Sequence, residues 1–141
     1  MPSPFQSRGR VLAVDDSSVI RELLIASLEA AGFSVEAVGS GHAALAAARH
    51  GAFDAVILDV DMPGIDGLEV GRALRDDPRT CRAMIAMHTT LDEADVRAGF
   101  DGYDFFLPKP CSARVLGQCV EQMIRGRRGA LAARLPRTSP A

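Results

Sequence analysis

Nothing in this sequence is apolar for long enough to cross a bilayer; runs such as VLAV and AVIL are far too short. The opening MPSPFQSRGR has no apolar signal core, so a cytoplasmic location is expected. Cysteine is scarce and odd in number, and Cys81, Cys111 and Cys119 show no CxxC spacing. They read as reduced thiols that serve as packing residues. An excess of one charge is also missing. A formal net charge of −2 and a pI near 5.9 give no case for a nucleic-acid or anionic-membrane partner.

What is present fits one soluble domain. The chain has 141 residues, 48% apolar and 24% charged, which suits a single core and excludes wholesale disorder. Residues 1–9 are polar with two prolines and read as a flexible arm. Arg10–Val14, Phe33–Val38, Ala55–Leu58, Arg82–His88 and Tyr103–Leu107 read as strands, because each is a short apolar run. Between them, apolar residues at helical spacing mark Ser18–Ala31, and Ser40 caps an alanine-rich helix that ends at His50-Gly51. Asp66, three residues before Glu69, opens a helix running to about Arg75 in the manner of a capping box. A short helix near Asp92–Ala98 and a last one over Ser112–Arg125 complete the alternation. Strands that are apolar throughout, alternating with helices, predict an α/β fold: a five-stranded parallel sheet with helices on both faces. No other internal repeat is present. Residues 10–126 form the predicted domain, and 127–141 a basic tail without acids, expected to be disordered and too short for an output domain.

The stretch AVILDVDMPGIDG drives a buried strand into Asp59 and Asp61. Burying a carboxylate is costly unless something pairs with it. In an open parallel sheet, ligands gather beyond the carboxyl ends of the strands. There the first strand ends in Asp15-Asp16, the third in Asp59, the fourth in Thr89-Thr90, and the fifth runs into Lys109-Pro110. Each alone has an ordinary reading, an aspartate as a helix cap or turn former and a lysine as a solvated charge. Together they call for compensation of three carboxylates, which a hard oxygen-seeking cation such as Mg²⁺ supplies.

VDDS, LDVDMPGIDG and LPKP, taken in this order, resemble the receiver domain of two-component response regulators, over about Arg10 to Arg125. The resemblance implies a stand-alone (βα)5, flavodoxin-like receiver fold of the CheY-like kind. It implies that Asp59 accepts a phosphoryl group from a histidine kinase or phosphotransfer protein. Asp16 and Asp59 would hold Mg²⁺ directly, Asp15 through water, and Asp61 through its backbone carbonyl. Lys109 would pair with Asp59 and later with the phosphoryl oxygens, and Pro110 would follow a cis bond. Such a protein signals through protein contacts, as a monomer or a phosphorylation-dependent dimer, and is not an enzyme in its own right.

The switch hydroxyl is ambiguous in IAMHTT. Counting from Gly67 favours Thr89, whereas the apolar rhythm places His88 there; on the first count His88 is a structural residue on the other face of the sheet. Phe106 takes the aromatic position that changes rotamer in the family, or is simply a core residue. The segment from Thr89 to Lys109 is slightly short for the family, so a reduced fourth helix is expected. Two other readings compete. DVDM also resembles the nucleophile motif of haloacid-dehalogenase-type phosphatases, although no cap domain follows it. A degenerate receiver would serve as a phosphorylation-independent adaptor.

Overall fold

A computed structural model describes residues 7–134 of the chain, with side chains through Arg127. Its elements are β1 (Arg10–Val14), α1 (Ser18–Ala30), β2 (Ser34–Val38), α2 (Gly41–His50) and β3 (Ala55–Leu58). They continue as α3 (Gly67–Asp76), β4 (Met84–Thr89), α4 (Glu93–Gly99), β5 (Phe105–Pro108) and α5 (Ala113–Arg134). All strand pairings are parallel, and the sheet order is β2-β1-β3-β4-β5. This is the five-stranded α/β fold that the alternating apolar runs predict.

The inner strands β1, β3 and β4 are apolar on successive residues because both faces of the sheet are covered there. Leu12, Val14, Val56, Leu58, Ile85 and Met87 point to the side packed by α2, α3 and α4. Val11, Ala13, Ile57 and Ala86 point to the side packed by α1 and α5. Leu12, Leu28 and Ile57 are fully buried; truncating any of them to alanine would cost about 2–5 kcal/mol. Side chains cap the helices as their sequence suggests. Ser17 Oγ accepts from Ile20 N, Ser40 Oγ from Ala43 N, and Asp66 Oδ1 from Glu69 N. Each such cap is worth about 1 kcal/mol. At the opposite end of α3, Arg75 donates to the carbonyls of Cys81, Ala83 and Gly102 and to Asp104, whose carboxylate also accepts from Ile85 N. One guanidinium thus ties α3 to the starts of β4 and β5.

The structure departs from the sequence reading at several boundaries. β4 begins at Met84 rather than Arg82, because Ala83 N bonds to the Thr80 carbonyl in a turn. β5 begins at Phe105 rather than Tyr103. Of the expected arm, residues 1–6 lie outside the described residues and residues 7–9 belong to the fold. Arg8 N and Ser34 N bond to the Gly32 and Gly9 carbonyls, and Ser7 Oγ accepts from Ser34 N. The expected disordered tail from residue 127 is helical through Arg134, and residues 135–141 lie outside the described residues. Arg127 anchors it, donating to Asp54 Oδ1 at 3.0 Å and to the Arg82 carbonyl. No helix among the described residues is long and apolar enough to cross a membrane.

Candidate functional site

β1 and β3 lie side by side, and their direction of progression across the sheet reverses between them. The chain leaves both strands at one edge, carrying Asp15 and Asp16 from β1 and Asp59 from β3. One carboxylate oxygen from each of these three lies within 4.8 Å of the others. Asp15 and Asp59 are buried and Asp16 is exposed. Like charges about 5 Å apart repel by roughly 3 kcal/mol at an effective dielectric near 20, so the cluster demands a cation.

Lys109, delivered by the segment after β5, supplies one. It is the only lysine among the 16 Lys and Arg residues of the sequence. Its Nζ lies 2.7 Å from Asp15 Oδ2 and 3.4 Å from Asp59 Oδ2. The sequence reading paired it with Asp59, yet the closer contact is to Asp15. Asp15 is itself fixed by Ser17 N, which donates to Oδ1 at 2.9 Å. Burial works against the Lys109 charge, but the Asp15 hydrogen bond and the Asp59 and Asp15 carboxylates outweigh it and hold the ammonium above the usual lysine range. For Asp59 burial dominates. It raises the pKa above the ordinary 3.8; Lys109 pulls it back, and the Asp15 charge raises it further. One ammonium against three carboxylates leaves an electronegative, oxygen-rich pocket, a donor set that suits Mg²⁺.

The remaining sequence candidates fall around this centre. Asp61 is exposed in the loop that follows β3. The Lys109–Pro110 bond is cis. Thr89, the last residue of β4, is fully buried; its carbonyl accepts from Lys109 N at 2.9 Å and its Oγ1 from Leu91 N. Strand alternation puts Thr89 on the same side as Ile85 and Met87, the side on which half-buried Phe106 also packs. His88 takes the other side, toward α1 and α5, and lies in a cleft with Lys109. Phe106 is one end of an aromatic row, with ring centroids 6.2 Å to Tyr103 and 6.4 Å from Tyr103 to Phe100. The Tyr103 hydroxyl donates to Glu93 at 2.6 Å and accepts from Arg97, which ties the row to α4. That helix is short, seven residues.

Gly67 escaped the sequence reading as a site residue. It starts α3 beneath the end of β3, and a Cβ there would lie 2.0 Å from the Asp59 carbonyl oxygen and 2.8 Å from Val60 Cα. Its N–H donates to the Val60 carbonyl at 2.9 Å. The available hint was a glycine just inside a helix start, where its propensity is poor and only close packing recommends it.

The sequence model of the response regulator receiver domain matches residues 11–121. The chain belongs to this family. Receiver domains are signalling domains of two-component systems that interact with histidine kinases or phosphotransfer proteins. Among relatives, this receiver domain is 40% identical over 118 residues to the response regulator MprA of Mycobacterium leprae, covering 82% of this chain and 51% of that protein. It is 42% identical over 125 residues to a protein-glutamate methylesterase/protein-glutamine glutaminase of Paramagnetospirillum magneticum, covering 85% of this chain and 32% of that protein. The receiver domain thus spans about half or less of the length of these relatives. Its fold matches the chemotaxis response regulator CheY4 of Vibrio cholerae with a TM-score of 0.76 at 33% identity, over 82% of this chain and 98% of that one. It also matches TrrA of Thermotoga maritima, solved in complex with Mg²⁺-BeF, with a TM-score of 0.74 at 32% identity, over 82% and 98%. The phosphatase reading of DVDM is left without support.

Proposed function

We propose that this receiver domain takes a phosphoryl group onto Asp59 from a histidine kinase or phosphotransfer protein in a Mg²⁺-dependent reaction. In this reading it signals as a single-domain cytoplasmic regulator through protein contacts, as a monomer or a phosphorylation-dependent dimer. One observation carries the reading. Asp59, buried at the end of β3, has two further carboxylates within 4.8 Å and the Lys109 ammonium at 3.4 Å. Asp15, Asp16 and Asp59, with the Asp61 backbone carbonyl, would hold the ion. Mg²⁺ when bound supplies positive charge to the phosphoryl oxygens.

The chain's own part is nucleophile and placement. An Asp59 oxygen forms the new P–O bond, the donor's P–N bond breaks, and its electron pair returns to the imidazole. Lys109 gives its charge to the phosphoryl oxygens. Thr89 offers the hydroxyl that meets them, and Phe106 on the same side follows its movement. Incubation with acetyl phosphate and Mg²⁺ should load one phosphoryl group per chain, and chelator should abolish loading. Loading that is indifferent to chelator would sink the metal requirement. A chain that never loads would be the phosphorylation-independent adaptor.

The metal also predicts a stability pattern. An ion that binds only the folded cluster stabilises by mass action, by about 2.7 kcal/mol at a hundredfold excess over its dissociation constant. Wild type should therefore melt higher in millimolar Mg²⁺ than in chelator. Asp16→Asn removes one repelling charge, so it should melt above wild type in chelator and lose the Mg²⁺ shift. An Asp16→Asn protein that melts lower in chelator, beside a wild type blind to Mg²⁺, would remove the ion from this cluster.

The switch assignment has its own check. Thr89→Ala should still load phosphate but show weaker chemical-shift changes around Phe106 and Tyr103 on loading, and His88→Ala should blunt them less. The reverse ranking would transfer the role to His88.

A further inference from the structure

The carbonyl of Asp15 falls in the gap between two elements. β1 ends at Val14 and α1 begins at Ser18, so neither the sheet ladder nor the helix supplies it with a donor. Arg21 does, donating from Nη1 to that oxygen at 2.8 Å. The guanidinium reaches it across Gly39, just past β2, where a Cβ would lie 2.7 Å from Nη1 and 3.2 Å from Cζ. Only a glycine leaves it that seat. Arg21 pairs with no carboxylate among the described residues, unlike Arg75, Arg97 and Arg127. A cationic side chain beside an acid cluster thus spends its hydrogen bond on backbone.

Asp16 is the member of the cluster with the least support of its own. The Asp15 carboxylate is held by Ser17 N and Lys109, and Asp59 has the Lys109 ammonium at 3.4 Å. The Asp16 side chain is exposed and makes no hydrogen bond or ion pair among the described residues. Its aim is therefore set by the backbone on either side. Beyond it, Ser17 is fixed as the cap of α1, its Oγ accepting from Ile20 N and its carbonyl from Arg21 N. Before it, Asp15 N donates to the Val38 carbonyl at 3.2 Å, and Arg21 holds the carbonyl of the peptide that leads into Asp16.

We propose that Arg21 is a positioning residue for the cation: seated on Gly39, it fixes the peptide between Asp15 and Asp16 and so aims the Asp16 carboxylate at the ion. The inference rests on the Mg²⁺ reading of the cluster. A hydrogen bond from a charged donor is among the stronger ones, and a guanidinium stays charged at any working pH. Groups that orient a metal's ligands without touching the metal are worth about tenfold to hundredfold in affinity. The charge of Arg21 acts in the opposite sense, because a cation beside the site repels an incoming Mg²⁺. Opposite signs make the two effects separable.

Two variants of the full chain test this by Mg²⁺ titration, followed through amide NMR shifts, with melting in chelator measured alongside. Arg21→Met removes the charge and keeps much of the side-chain length. Gly39→Ala keeps the charge and blocks its seat, and Gly39 has no positive φ that would exclude alanine. Each should weaken Mg²⁺ binding by about tenfold or more. The double variant should bind no more weakly than Arg21→Met alone. An Arg21 that acted only as a nearby charge would give tighter binding in Arg21→Met and unchanged binding in Gly39→Ala. A merely structural Arg21 would lower melting in chelator and leave the Mg²⁺ affinity alone. Either result overturns the proposal, and if one variant fails to fold the other still decides. A wild type without saturable Mg²⁺ shifts would remove the ion itself, a failure distinct from that of Arg21.

Discussion

Asp59→Asn is expected to take up no phosphoryl group from acetyl phosphate or a phosphorylated kinase, and to melt higher than wild type at neutral pH in chelator. The first outcome follows from chemistry. A carboxamide oxygen is a far weaker nucleophile than a carboxylate, and neither Asp15 nor Asp16 shares the position of Asp59 at the end of β3. Asp15 bonds to both Ser17 N and Lys109, and Asp16 faces solvent. The second outcome follows from linkage. Burial, against the pull of Lys109 and with the push of Asp15, keeps a proton on folded Asp59 above the ordinary 3.8. Between that ordinary value and the raised one, the folded state binds more protons than the unfolded, so stability falls as pH rises. Above the raised value the penalty persists, and asparagine never incurs it. The gap between the two proteins should close as pH drops below the carboxylate range. Full loading of Asp59→Asn by intact-mass spectrometry would place the acceptor on another residue. A variant that melts lower than wild type at pH 7 would mean that the Lys109 attraction outweighs burial.

Gly67→Ala is expected to lose about 3 kcal/mol of stability in urea titration, at the upper end of what overpacking costs. A methyl group 2.0 Å from the Asp59 carbonyl oxygen meets backbone, not a side chain that can turn away. Either α3 lifts, breaking the Gly67 N to Val60 carbonyl bond, or the Asp59–Val60 backbone moves. Both disturb the placement of the Asp59 carboxylate, so phosphoryl loading should slow as well. An unchanged urea midpoint would show that the helix start yields freely and that the glycine is incidental to the site.

The sheet was legible because its inner strands are buried on both faces. RVLAV, AVIL and IAMH read as uniformly apolar runs, and the charged residues stand at their ends. Asp66 announced the start of α3 by the chemistry it performs there. The end of α5 was hidden for the opposite reason. Gly126 and the arginines around it look like a helix stop and a solvated tail, and a glycine inside a helix costs up to about 1 kcal/mol. Arg127 carries the helix past it by reaching Asp54, 73 positions away, which no local pattern reveals. Ser7, Arg8 and Gly9 were misjudged likewise, since they hold to the fold through backbone and hydroxyl bonds to Gly32 and Ser34 that no local pattern reveals. At the site, the acids and the lysine were readable as a set. Which carboxylate holds Lys109 more closely was not, because that choice rests on the geometry of two loops. Alternation placed His88 on the side away from Thr89, but the burial of its Nδ1 without a hydrogen-bond partner is a property of everything packed around it.

The scarcity of lysine gives the protein an intrinsic reporter. The only side-chain amine in the sequence is the one clamped between Asp15 and Asp59. An ammonium held above its usual range is seldom deprotonated and acylates slowly, so lysine-directed labelling measures the grip of that clamp. Asp15→Asn should quicken it, and arginine-rich surfaces elsewhere add no background.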